Sequence, residues 1–220
     1  MVLAELARSY LEDNLIWKIQ GDVYKRELER YGGSTIDLAE DFFYSDSEMV
    51  TGVLKNIKWS DDKENLRWLY AVYLLNFHLD LFKYTKEDSV KFLEQLRNSY
   101  LTRLSSESLI KKQLSSKFRA NRRKIEQFLR NPENFDPNQE NIQIMQRYAR
   151  ETERLVEKVN AMIKLDPTTY EVKTLSASLI HMTMNRLFRT KSNLNEMVCY
   201  DLLAQLTKSE LARAKSQPNN

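Results

Sequence analysis

Ser178-Leu-Ile-His-Met-Thr-Met-Asn-Arg-Leu187 reads as the late part of a helix. It contains neither glycine nor proline, and it sets His181 and Asn185 one turn apart on a shared face. Histidine titrates near neutral pH, so His181 can both take and give a proton. Helical character extends outward from this run over most of the chain. All four glycines (Gly21, Gly32, Gly33, Gly52) lie in the first quarter, and the prolines sit at joints: Pro132, Pro137, Pro167 and the tail Pro218. Glycine weakens helices and proline breaks them, so the partition predicts a mixed N-terminal piece followed by long helices.

The expected order begins with a helix over residues 2–12. Leu15, Trp17, Ile19 and Val23 then alternate with Lys18, Gln20 and Asp22, the two-residue period of a half-buried strand. Gly32-Gly33 is a sharp turn, and Ser34 or Thr35 can cap a helix over about 36–56. Further helices are expected at about 61–83, 85–103, 105–130, 139–164, 168–189 and 193–214. The fold class is therefore mainly α: a short N-terminal helix and a β-strand or hairpin piece, then a bundle of about seven helices. Residues 1–35 would form the first part, and residues 36–220 the helical part that carries His181.

The chain has 220 residues, 42% hydrophobic and 30% charged, enough for one sizeable core. Its 34 basic and 31 acidic side chains leave a net charge of +3, too even a balance to point to nucleic acid by itself. A single cysteine, Cys199, excludes an intrachain disulfide; among Met197, Val198 and Leu202 it reads as a buried structural thiol. No apolar run approaches the ~18 residues of a membrane span. The first residues lack the order of a signal peptide, so a soluble, cytoplasmic protein is expected. Cys/His ligand spacing, a zinc-type helix motif, a phosphate-cradling glycine loop and a nucleophile elbow are all missing, so no metal and no cofactor is expected.

Three polar clusters remain, each with two interpretations. In Tyr24-Lys-Arg-Glu-Leu-Glu-Arg-Tyr-Gly-Gly33, Arg26 and Arg30 share a face whether the segment is strand or helix. Two guanidiniums so placed can grip a carboxylate, or they can pair with Glu27, Glu29 or other acids as structural ion pairs. His181 is either a proton-transfer group oriented by Asn185 or a satisfied histidine among Leu179, Met182 and Met184. His78, in a strongly apolar helix, reads as structural. Between Lys111 and Lys124 stand seven basic residues (Lys111, Lys112, Lys117, Arg119, Arg122, Arg123, Lys124) and no acid. They form a solvated helix face or a surface for phosphates or an acidic peptide.

Taken together, two of these clusters resemble a known family. Tyr24 to Gly33, followed by Ala39-Glu-Asp-Phe-Phe-Tyr-Ser-Asp-Ser47, is similar to the Y-x-R-E-x-x-R-Y-G-G…E-x-F…DS pattern of the class I lanthipeptide (lantibiotic) dehydratase C-terminal region. Ile180 to Leu187 resembles that family's H-M-x-x-N-R-L motif, with a glutamate on the following helix, here Glu196. Standalone relatives are called thiopeptide-type bacteriocin biosynthesis proteins. The likeness runs from roughly Trp17 to Ser209. It implies a lyase: a serine or threonine of a precursor peptide is glutamylated from glutamyl-tRNA by another domain, and the elimination domain expels the glutamate to leave dehydroalanine or dehydrobutyrine. By that resemblance His181, Arg26 and Arg30 are catalytic candidates, with Tyr31, Asn185 and Arg186 as substrate-binding candidates.

The resemblance further implies a fragment of an α+β domain, incomplete on its N-terminal side, since nothing matches the family's earlier arginine-bearing R-Y-x-D-x-x-x-H-L-R-like stretch. The expected partners are the precursor (leader-core) peptide and a glutamylation domain or subunit using glutamyl-tRNA; a homodimer and a complex with a cyclase and transporter are further assemblies to consider. Two alternatives accompany the lyase: a relative of the pyridine-forming cyclases of thiopeptide pathways, and a non-catalytic helical module binding peptide or RNA through Arg119, Arg122 and Arg123.

Overall fold

The long stretches without glycine or proline become the helices of the molecule. A computed structural model describes residues 5, 7–13, 17–18, 23–57, 63–102, 107–135, 139–165, 172–188 and 190–216. Two short helices, α1 (Arg8–Glu12) and α2 (Leu28–Tyr31), precede α3 (Ile36–Ile57), α4 (Lys63–Leu81), α5 (Lys86–Leu101), α6 (Glu107–Arg130), α7 (Glu140–Leu165), α8 (Val172–Leu187) and α9 (Ser192–Ser216). A 3-10 turn, Pro132–Phe135, joins α6 to the loop before α7. Thr85 caps α5: its hydroxyl oxygen accepts from the Asp88 amide at 3.1 Å. Thr35 acts differently, its hydroxyl donating back to the Tyr31 carbonyl so that α2 and α3 are tied across the glycine turn. Gly32 has φ of 76°, a backbone state that favours glycine.

Two groups of helices meet at α8. One gathers around α9, which packs on α4, α5, α6 and α8 and is buried on nearly all sides from Glu196 to Thr207, as a central helix must be. In the other, α3 packs on α7, α8 and α4 through Ala39, Phe42, Met49, Val50 and Val53. Helix α8 touches α2, α3, α4 and α9. It buries Leu175, Leu179, Ile180, Met184 and Leu187 and leaves a partly exposed strip of His181, Met182, Asn185 and Arg186. Gly52 belongs to the α3–α7 contact. A Cβ there would stand 2.8 Å from Ile144 Cδ1, so its small size serves close approach within a helix. The basic stretch lies on α6, whose Leu114, Phe118, Ile125 and Phe128 are buried while Lys111, Lys112, Arg119 and Arg123 are exposed.

The expected strand is corrected by the structure: among the described residues there is none. Trp17 and Val23, meant to be half-buried, are each 89% exposed in irregular backbone. Leu15, Ile19, Gln20 and Asp22 lie outside the described residues. A strand needs a neighbouring edge for its amides and carbonyls, and the described remainder, being helical, offers none.

Candidate active site

His181 stands at the junction of α8 and α9. Its side chain is 26% exposed, whereas Glu196, on the first turn and a half of α9, is 1% exposed. Nδ1 lies 2.9 Å from Glu196 Oε2 and 3.1 Å from Oε1. The carboxylate can only accept, so the ring carries its proton on Nδ1 and points it at Glu196. Nε2 then holds a lone pair, which accepts from the exposed Asn185 amide at 2.9 Å. Behind this pair the buried Tyr200 hydroxyl donates to Glu196 Oε1 in a short hydrogen bond. Tyr100 Oη lies 3.5 Å from Nδ1, at the outer limit of hydrogen bonding. The imidazole thus has an inner nitrogen fixed by a buried acid and an outer nitrogen facing an exposed polar side chain. Such a ring can take a proton from outside and have its charge balanced from within.

A second polar chain runs through the interior one turn away. Asp46 of α3, wholly buried, accepts from Thr183 Oγ1 at 2.7 Å, from Arg186 Nη1 at 2.8 Å and from the Tyr148 hydroxyl at 3.4 Å. Tyr148 spends its proton on Asp46, so it accepts in turn from His78 Nε2 at 2.8 Å. Burial pushes the Asp46 carboxyl up to about 6, against the downward pull of Thr183 and Arg186. Burial alone drives His78 down to about 3, leaving it neutral. Its Nδ1 has no hydrogen-bond partner among the described residues, which suits a ring packed against Phe42 and Phe77.

The arginine segment packs on the same helix, α2 against α8. Arg26 donates to both Asp37 and Glu40 at 2.6 Å, and Arg30 lies 3.6 Å from Glu27. Arg30 also sits over the Tyr31 ring at 5.7 Å; Tyr31 meets Phe43 edge-on at 4.9 Å; and Arg186 covers Phe43 at 5.4 Å. An aromatic pair is thereby flanked by two guanidiniums. The Tyr31 hydroxyl is buried with no hydrogen-bond partner among the described residues. Burial raises its pKa, while the charges of Arg30 and Arg186 both act to lower it. Lys25 to Arg30 line an open recess of about 720 Å³. The structure thus gathers Arg30 and Arg186 around the Tyr31–Phe43 pair, and His181, Asn185 and Arg186 along one helix strip.

Thr183, Tyr148 and Tyr200 are not singled out from sequence, and Asp46 enters there only as the acid of the DS pattern, yet signals exist. Asp46 falls in the apolar stripe Ala39, Phe42, Met49, Val53, where an acid has no business unless it is paired. Tyr200 follows Glu196 by four positions on one helix face. Cys199 is buried; burial first and the nearby Glu196 second raise its thiol well above the ordinary value, so it is an inert packing group.

No helix among the described residues is long and apolar enough to cross a membrane, and no group of three or more potential metal ligands occurs among them. Helical architecture and a histidine–carboxylate pair joined to an arginine segment are the features carried by the two sequence motifs. The chain belongs to the family described as lantibiotic biosynthesis dehydratase C-term, whose model matches residues 1–207. Membership places it in lantibiotic biosynthesis. No match emerges among curated proteins or among solved structures.

Proposed function

We propose that the chain supplies the glutamate-elimination chemistry of a lantibiotic dehydratase, acting on glutamylated serine and threonine of a precursor peptide. The observation that carries this proposal is the partly exposed His181, with Nδ1 held by buried Glu196 and Nε2 bonded to the exposed Asn185. In the proposed step Nε2 takes the α-proton of the glutamylated residue. The electron pair left behind forms the Cα–Cβ double bond, the Cβ–O bond breaks, and glutamate departs with that oxygen as a carboxylate. Glu196 balances the imidazolium formed, and a proton must return to solvent before the next cycle. Departing negative charge needs cations. Arg30 and Arg186 flank the Tyr31–Phe43 pair beside this strip; Arg26 would have to offer donors left over from Asp37 and Glu40. Asn185 would yield Nε2 to the substrate, and the exposed Tyr24, Leu28 and Tyr44 offer contacts for a peptide.

Glutamylation itself falls to a partner domain or subunit that uses glutamyl-tRNA. The test supplies a pre-glutamylated precursor peptide and follows the mass of each residue. Wild type should convert glutamyl esters to dehydro residues, and His181→Ala should slow that by about 10²–10⁴-fold. Formation of a pyridine ring from dehydro residues would instead favour the cyclase relatives.

A further inference from the structure

We infer that Asp46 is the positioning residue for Arg186, holding that guanidinium on the exposed strip beside His181 so that its remaining donors face the negative charge of the substrate. The inference rests on the elimination proposal for its substrate, but the ion pair itself is geometric. Asp46 comes from the Glu40-to-Ser47 stretch of α3, and Arg186 from the His181-to-Leu187 stretch of α8, 140 positions apart. Their 2.8 Å contact physically joins the two sequence motifs.

A wholly buried carboxylate is costly, and an apolar side chain of similar size would often serve stability as well or better. Asp46 nonetheless occupies this interior position, and its orientation is fixed from three sides. Thr183 and Tyr148 donate to Oδ1, while Arg186 takes Oδ2. His78 secures Tyr148 from behind. Arg186 is gripped on its other side by the face of Phe43. A flexible side chain is thereby reduced to one arrangement, while 23% of it stays exposed. Of the five N–H donors of a guanidinium, one is bound to Asp46 among the described residues. The others can meet a carboxylate without a search through rotamers, which is how fixed cations lower a barrier. The negative charge of Asp46 tempers the pull of Arg186, so the gain lies in placement rather than in added attraction.

The experiment uses the full chain with Asp46→Asn, Arg186→Gln and the double substitution, each checked for folding by circular dichroism. On glutamylated peptide, Asp46→Asn should lower kcat by about tenfold or more with KM changed less than threefold, and it should cost nothing further once Arg186 is Gln. Loss of less than twofold, or losses that multiply in the double variant, would overturn the inference. If Asp46→Asn does not fold, Thr183→Val removes a donor to the same carboxylate and should show a smaller loss that again vanishes in the Arg186→Gln background. A readout independent of catalysis is the nitrogen-15 spectrum of the arginine side chains. A slowly rotating guanidinium should be present in wild type and missing in both Arg186→Gln and Asp46→Asn. Its persistence in Asp46→Asn would overturn the inference, while its loss alongside an inactive wild type would set aside the elimination proposal alone.

Discussion

The buried acids Glu196 and Asp46 are each answered by specific partners, and those partners set their chemistry. Glu196, at 1% exposure, is flanked by the His181 ring and the Tyr200 hydroxyl. Substituting Gln removes the charge and offers His181 Nδ1 an amide instead. The proposed step should then slow by about ten- to hundredfold, the scale at which loss of a histidine's second partner is felt; single-turnover kinetics on glutamylated peptide measures it. Asp46 and His78 make a different prediction. With Asp46 raised to about 6 from 3.8, the folded chain keeps a proton there between about pH 4 and 6 that the unfolded chain has released, so this contribution is full in acid and is lost as pH rises through 6. With His78 lowered to about 3 from 6.5, the unfolded chain holds the extra proton, and this contribution is lost as pH falls below 6.5. Between about pH 4 and 6 the two nearly cancel, each changing by roughly 1.4 kcal/mol per pH unit. Melting curves across that window should show Asp46→Asn losing stability relative to wild type as pH falls, and His78→Gln gaining it. Parallel curves for all three proteins would contradict both shifts.

Among the elements, the helices were the legible part. Their apolar spacing and the positions of Pro132, Pro167 and Thr85 mark starts and stops that the structure reproduces to within a few residues. The N-terminal piece was not legible for the opposite reason. Alternation at Leu15–Val23 is a statement about side chains, and a strand also requires an edge that only tertiary structure supplies. In the sequence Gly52 counts only as a helix-weakening residue within the helix expected at about 36–56, because composition does not show neighbours. Its role is the contact of α3 with Ile144 of α7. Replacing it by Val should force that side chain aside and lower stability by about 1–3 kcal/mol in urea unfolding, where helix propensity alone would predict a gain over glycine. Of the candidate site, His181 and the arginines were visible as residue types at spacings. Glu196 was visible only through the resemblance, and the pairing of Asp46 with Arg186 and the roles of Tyr148 and Tyr200 were not visible, because such contacts join positions whose meeting only the fold decides.

At the scale of the molecule, α8 is the common wall of two helix groups, and both motifs lean on it. Helix α2 and α3 bring Tyr31 and Asp46 to one side; α9 brings Glu196 to the other. In the second half of α8 the strip of His181, Met182, Asn185 and Arg186 remains partly open. That placement sets a partly exposed imidazole, a buried carboxylate against it and one partly exposed guanidinium at the same helix. The most direct measurement is single-turnover conversion of a singly glutamylated precursor peptide, counting dehydro residues formed against glutamate released, for wild type and His181→Ala. The account predicts one glutamate for each dehydro residue, and a rate about a hundredfold or more slower without the imidazole. Equal rates for the two proteins would contradict it.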